Sequence, residues 1–562
     1  MKTTTRILAA ILVLAMVMSV AGCSSNKGTE STPPSAGSPD TSGEESSDGK
    51  TGSDTTGNGH ADTVTIVMQS PCETLNPYNI TGNYGDPLYD CIYEKLFEYT
   101  YDGQVLPRLC TTYDTRFDDE GHMILTFHLD PDATWEDGTP LTAHDIVFTA
   151  QLITNGDVTA TRRYYWSSLV GTDGSGICED VSKLAIVALD DHTVEYTLKE
   201  SRALDAYFII EARFQYILPK HKLENVEPAK MHQDEFFLHP LGAGPVLFDS
   251  MTEGQRYELV ANENYYRGRT NFDRLVLLVM DPANYAAAFS SGEIDANTSQ
   301  GLIQLDDWEY ISSLNNVTAE SVESYAYQWM NINQSRDYFK DPKVRKAISM
   351  AINRQAMVDQ LMAGQGRIAV SSITPNSQYF NPAIKNDPFD PEGARSLLEE
   401  AGWDFDRELD FAVPTGNKVR ENSAVLIQQD LQAVGIKTKI RLIDFANEVK
   451  ELREGTCDLG LLGASSPDPD DVRVNFNLEG ANNFSHLDNW EFYELLDKAR
   501  SVTTVEERRE LYFQWQALCD ELTPIVWLYH QNSLFAYNNK FVNYPCEDFL
   551  AVNMRVMEWT FK

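Results

Sequence analysis

The sequence predicts an α/β protein with more than one domain, and two observations carry that prediction. Its 562 residues, 42% of them hydrophobic and 11% aromatic, exceed what a single hydrophobic core organises comfortably. Strand-like and helix-like segments are mixed along the chain without a short internal repeat, and beyond Tyr325 they settle into a regular alternation of helix and strand.

The ordered body is expected to begin with the strand Val64 to Met68. Met123 to Leu129 and Val194 to Leu198 read as strands with polar bounds, and Asp190 with Asp191 supplies the turn before the second. Between them, Glu136-Asp137-Gly138-Thr139-Pro140 reads as a tight turn in which Gly138 takes a positive φ, with Thr142 or Asp145 capping the helix that follows. Tyr325 to Asn333 is extended and aromatic. Asp341-Pro342 is an N-cap followed by proline at the first helical position, after which Val344, Ile348 and Ile352 recur at helical spacing. Asp390-Pro391 repeats that start, Leu397 and Leu398 supply the apolar face, and Gly402 stops the helix. Strand Leu409 to Val413, a helix from about Asn422 to Val434 ended by Gly435, and strand Ile436 to Ile443 form a βαβ unit. Thr504 with Glu507 resembles a capping box opening a helix whose Leu511, Trp515, Leu518 and Leu522 share one face, and the helix leads into the apolar strand Ile525 to Tyr529.

The N-terminus has the order of a secretory signal. Lys2 and Arg6 form a basic start, Ile7 to Val20 is almost wholly apolar, and small residues precede a cysteine. That apolar run is short for a membrane span. Val20-Ala21-Gly22-Cys23 resembles the lipobox of bacterial lipoproteins, which implies lipidation at the Cys23 sulfur and attachment by paired acyl chains. From Ser24 to about Asp62 the chain is Ser, Thr, Gly, Pro, Asp and Glu with almost no large apolar side chain, so it is expected to be a flexible tether with a root-mean-square span of roughly 35 Å.

The formal net charge of −39 repels phosphate backbones and anionic head groups, so nucleic acid is not an expected partner. Of eight cysteines, Cys23 is assigned to the anchor. The other seven have long, irregular spacings with no Cys-x-x-Cys clip, which suits buried small apolar side chains better than a zinc site.

Several further segments fall in a definite order. They are Thr74 to Tyr78 with Ile92 to Glu98, Thr126 to Leu129, Trp135 to Phe148, Ala188 to Val194, Pro240 to Pro245, Asn262 to Gly268, Ser291 to Asp295, and Asp341 to Arg354. Together they resemble the family-5 extracellular solute-binding proteins, the oligopeptide, dipeptide and nickel receptors of ABC importers. The resemblance implies a two-lobed periplasmic-binding-protein-like fold of type II, in the large cluster with an extra subdomain in the first lobe and a hinge between lobes. On that frame residues 1–22 are a lipoprotein signal peptide and 23–62 the lipidated cysteine and tether. Residues 63–325 are lobe 1, with an inserted subdomain at about 84–185. Residues 326–528 are lobe 2, and 529–562 return to lobe 1.

The resemblance also implies ligand contacts by position. On the first lobe these are Thr81, Gly82, Asn83 and Tyr84, where family members meet an extended ligand as an added strand. On the second lobe they are Phe445, Arg453, Leu462, Gly463, Ser465 and Asp468, with Trp329, Trp527 and Tyr529 on the crossover segments able to stack on ligand or to pack in the core. Peptide receptors of this family commonly carry an aspartate at the position of Ser465 to pair with the ligand's α-amino group. With Ser465 there, Asp468 either substitutes or only initiates the turn before Pro469, and a modified peptide, a sugar, a metal chelate or another small solute are alternative ligands. Arg453 suits a carboxylate.

The expected protein is therefore a monomeric receptor, anchored to the outer face of the cell membrane, that delivers an oligopeptide or other small solute to an ABC permease. It is expected to need no cofactor, metal or catalytic residue. A secreted hydrolase is the rival reading, but the sequence holds neither a Gly-x-Ser-x-Gly elbow nor a His-Glu-x-x-His zinc pair. The ten histidines are scattered, His122 and His128 being the nearest pair among strand residues, and Asp468, Asp470 and Asp471 lack the spacing of a calcium loop.

Overall fold

The computed structural model describes residues 59–80, 82–100, 104–470, 483–548, 553 and 555–562; the signal segment, Cys23 and the tether up to residue 58 lie outside them. Two large sheets dominate. The first has seven strands in the order Val317–Val322, Ser533–Asn538, Ala296–Asn297, Ala61–Met68, Phe272–Val279, Arg256–Ala261, Val246–Thr252. Ala61–Met68 runs parallel to both its neighbours, and its side chains are buried on both faces, as a central parallel strand requires. Val64, Ile66 and Met68 enter the main core of the first lobe, whereas Val67 enters a smaller one with Tyr285, Phe289 and Ile311.

A separate four-stranded antiparallel sheet, ordered Cys110–Phe117, Met123–Leu129, Thr193–Leu198, Ile186–Asp190, packs onto the main core of the first lobe through Leu125, Phe127, Val194 and Tyr196. The turn before its helix behaves as its sequence demands. Gly138 sits at φ 82 with its N–H donating to the Trp135 carbonyl, and Thr142 and Asp145 close a capping box on helix Ala143–Thr154.

The second large sheet has six strands in the order Gly366–Ile368, Ile525–Gln531, Ala326–Ile332, Leu459–Ser465, Glu408–Pro414, Lys437–Ile443. Helices cover both faces. Met330, Ile332, Leu459 and Leu461 pack against Pro342–Ala351, Arg354–Leu361, Pro391–Glu400 and Lys418–Ala433. Trp329, Leu462 and Trp527 pack on the other face against Phe445–Glu454, Trp490–Ser501 and Val505–Leu522.

The helix starts follow their caps. Asp341, Asp390 and Thr504 each accept a backbone N–H of the first turn, and Gly402 and Gly435 lie at φ 69 and 90. Two details differ from expectation. The helix predicted from about Asn422 begins at Lys418, because the Asn417 side chain caps it by accepting the Arg420 N–H. In Val505–Leu522 the buried row is Arg508, Tyr512, Trp515, Gln516 and Cys519, so of the predicted face Trp515 is buried while Leu511, Leu518 and Leu522 pack half-buried against the same core. The helix is turned toward a buried charge partner of Arg508 that a hydrophobic pattern does not reveal. The seven described cysteines are free thiols, all buried except the half-buried Cys72.

Candidate functional site

The chain crosses between the two large sheets at residues 323–325 and again at Asn532. The Ser324 hydroxyl donates to the Gln531 carbonyl at 2.6 Å, and the Asn532 amide donates to Ser321 Oγ at 2.9 Å, so the crossings are bonded to each other. Strand directions then decide what faces what. In the first sheet Ala61–Met68, Phe272–Val279 and Val317–Val322 all end toward the crossings. In the second, Glu408–Pro414, Lys437–Ile443, Leu459–Ser465 and Ile525–Gln531 do the same. Two sheets therefore oppose the carboxyl ends of their parallel strands, the place where open α/β sheets receive ligands.

On the first lobe the loop leaving Met68 meets the loop before helix Asp86–Ile92, and the Gln69 amide donates to the Tyr84 hydroxyl at 3.2 Å. Arg162 ties the second loop down. Its guanidinium donates to the Gly82 carbonyl at 3.2 Å and to Asn83 Oδ1 at 3.1 Å, and lies 2.8 Å from Asp86. Burial raises the Asp86 pKa, and Arg162 pulls against that rise. Thr81 lies outside the described residues.

On the second lobe one flank of the sheet edge bounds a crevice of about 280 Å³, open space included, lined by Tyr325, Tyr327, Ser372 to Thr374, Ser377 and Ser466 to Pro469. Behind it Asp468 is bonded to Arg508, and Arg508 also lies 3.7 Å from Asp205 of the first lobe. Asp205 stands in helix Leu204–Ile210 and accepts the Tyr379 hydroxyl and, at 3.2 Å, the Gln378 amide, so this cluster joins the lobes. Burial, with the nearby Asp468 adding, raises the pKa of Asp205. The rim carries weaker contacts, Ser201 to Ser501 at 3.2 Å and Arg500 to Glu200 at 3.5 Å.

The other flank has a different chemistry. Gly463 pairs with Gln328 across the ladder, and a Cβ on Gly463 would lie 2.1 Å from Gln328 Nε2. The glycine is thus the space in which the Gln328 side chain lies, and Gln328 Oε1 accepts the Arg420 Nε–H at 3.0 Å. Ser465, two residues on and exposed, lies on the same face.

The remaining sequence-predicted residues divide. Trp329 stacks on Tyr327 at 5.2 Å between ring centres, Trp527 meets Tyr327 edge-on at 6.0 Å, and Leu462 shares their core. Tyr529 is buried in the core of the opposite face, accepting the Ser423 hydroxyl at 3.4 Å. Phe445 is half-buried at the first turn of helix Phe445–Glu454, and Arg453 is exposed at its last, one helix length away. The sequence reading passed over Tyr325, Tyr327, Gln328, Ser372 to Ser377 and Arg420. Arg420 carried one usable signal, a basic residue in the first turn of a helix, where the dipole disfavours it. Among the described residues His60, Asp62 and Asp273 bring ligand atoms within 4.8 Å of one another, but at the strand end away from the crossings and with Arg269 already paired to Asp273.

Opposed sheets, two crossings and a crevice on the second-lobe edge define a two-lobed binding protein. Residues 104–484 match the family model for the middle region of the bacterial extracellular solute-binding proteins, family 5, and the chain belongs to that family. The oligopeptide-binding protein AppA of Bacillus subtilis is 28% identical over 423 residues, covering 72% of this chain and 74% of the relative. Di/tripeptide-binding protein 1 of Pseudomonas aeruginosa is 26% identical over 473 residues, covering 80% and 85%. The crystal structure of the ABC transporter substrate-binding protein CtaP of Listeria monocytogenes superposes with a TM-score of 0.73 at 22% identity over 86% of this chain and 95% of that one, a likeness of fold.

Proposed function

We propose that this protein is a receptor of an ABC importer that holds an oligopeptide or peptide-like solute between its lobes and presents it to the membrane permease. The observation that carries the reading is the pair of sheet edges facing each other across two bonded crossings, with a crevice of hydroxyls and tyrosines on the second-lobe edge. The names of the two curated relatives, which assign them oligopeptides and di- and tripeptides, support it. A ligand touching both edges favours the closed arrangement by its differential affinity, and the permease then needs to recognise only that arrangement.

The output is binding and not bond breaking. Asp468, the carboxylate lining the crevice, is held by Arg508, which suits a scaffold and not a general acid. The receptor is expected to act as a monomer and without a cofactor. Val20 to Cys23 supports a lipid anchor on the outer face of the cell membrane, and Cys23→Ser is expected to move the protein from the membrane fraction to the medium. Titration calorimetry against a peptide library, followed by mass spectrometry of the recovered peptides, tests the reading. Saturable binding with peptides recovered whole supports it. Shortened peptides, or binding only of sugars or metal chelates, overturns it.

A further inference from the structure

The flank bearing Ser465 offers hydrogen-bond donors around Gly463. The Arg420 Nε–H goes to Gln328 Oε1, no hydrogen bond from its two Nη groups is formed among the described residues, and Glu448 and Tyr529 are the groups whose charge bears on the guanidinium. That bond fixes the Gln328 amide with its oxygen toward Arg420, so the Nε2 group, with no hydrogen bond of its own among the described residues, turns the other way. Ser465 adds an exposed hydroxyl on the same face. Each nearby acid has a protein partner of its own. Glu421 is paired with Lys418 at 2.6 Å. Glu448 is wholly buried and accepts the Leu461 N–H at 3.1 Å where strands Glu408–Pro414 and Leu459–Ser465 diverge; burial raises its pKa and Arg420 pulls against that rise. On the other flank, Asp468 is occupied by Arg508.

We propose that Arg420, Gln328 and Ser465, lying over Gly463, form an anion subsite, and that the ligand presents a carboxylate there instead of a free ammonium. The proposal rests on the receptor reading above and assigns the class of solute to it: a peptide whose amino end is acylated with an acidic group, or another small carboxylate. A guanidinium, an amide N–H and a hydroxyl converging on one face match the oxygens of a carboxylate, and a charge-assisted pair of this kind is stronger than a neutral hydrogen bond. An ammonium in the same place would meet the Arg420 charge.

The test is calorimetry with three probes: tetraalanine, N-succinyl-tetraalanine and succinate. The succinylated peptide is expected to bind tighter than tetraalanine, and Arg420→Gln to weaken it by about tenfold or more, the scale of one charge-assisted hydrogen bond. Arg420→Gln also breaks the bond to Gln328, so Ser465→Asp, at an exposed position that folding does not depend on, provides the second arm. It is expected to reverse the order of the two peptides. Tetraalanine binding tighter than its succinylated form, with both unaffected by Arg420→Gln, overturns the subsite and leaves the peptide receptor standing. Succinate binding that depends on Arg420, with neither peptide bound, upholds the subsite and removes the peptide reading. Indifference to every carboxylate probe overturns the subsite.

Discussion

Arg508 grips Asp468 through two parallel hydrogen bonds of 2.6 and 2.7 Å, with both side chains only 1% exposed. The pair stands behind the crevice and fixes the run Ser466 to Pro469 against helix Val505–Leu522. Its net worth against an apolar pair is small, but loss of one partner strands a buried charge. Arg508→Met is expected to destabilise the protein by about 3–5 kcal/mol, and the double change with Asp468→Leu by less. Urea unfolding of the two variants against the parent checks the figure and the order.

Asp205 reaches from the first lobe to Gln378, Tyr379 and Arg508 of the second. Asp205→Asn keeps an acceptor for the tyrosine while removing a charge that burial penalises, so it is expected to preserve the contact. Asp205→Ala removes the acceptor altogether. It is expected to loosen the lobes, lowering ligand affinity and raising hydrogen exchange in helix Leu204–Ile210 and around Tyr379.

His530, beside the crossing at Asn532, is buried, with Nδ1 on the Ala326 carbonyl at 3.1 Å and Nε2 without a partner among the described residues. Burial, with Arg367 pushing the same way, lowers its pKa from 6.5 to about 4. The fold therefore holds the neutral ring. Stability is complete above the unfolded value of 6.5 and is lost as the pH falls from there toward 4. Between about pH 7 and about pH 5 the loss due to this residue is about 2 kcal/mol. In His530→Asn the stability difference between those two pH values should shrink by that amount, as read by denaturant unfolding.

Gly463 is required by Gln328, whose amide occupies the space a side chain would need. Gly463→Ala is expected to displace Gln328 and unseat Arg420, weakening carboxylate probes about as much as Arg420→Gln does while leaving the melting temperature of the first lobe unchanged. Calorimetry and differential scanning calorimetry read the two effects separately.

Local rules carried much of the fold. Proline at the first helical position after Asp341 and Asp390, glycine at 402 and 435, and the unbroken apolar runs of the parallel strands are signals within a few residues of one another, and the structure follows them. The site was less legible because it is built from long-range register. That Gln328 lies over Gly463 follows from pairing residues far apart in sequence, and no local pattern announces it. Arg508 was hidden for the same reason, its partner Asp468 lying on another element. Trp329, Trp527 and Tyr529 could be placed on the crossover strands from sequence, but which face each occupies depended on sheet order.

Small-angle scattering of the purified protein, free and saturated with the tightest-binding peptide from the library, bears most directly on two lobes closing on a dissolved guest. The radius of gyration should fall on saturation and recover when the same unaltered peptide is dialysed away. An unchanged radius at saturation, or a peptide that returns cleaved, would contradict the account.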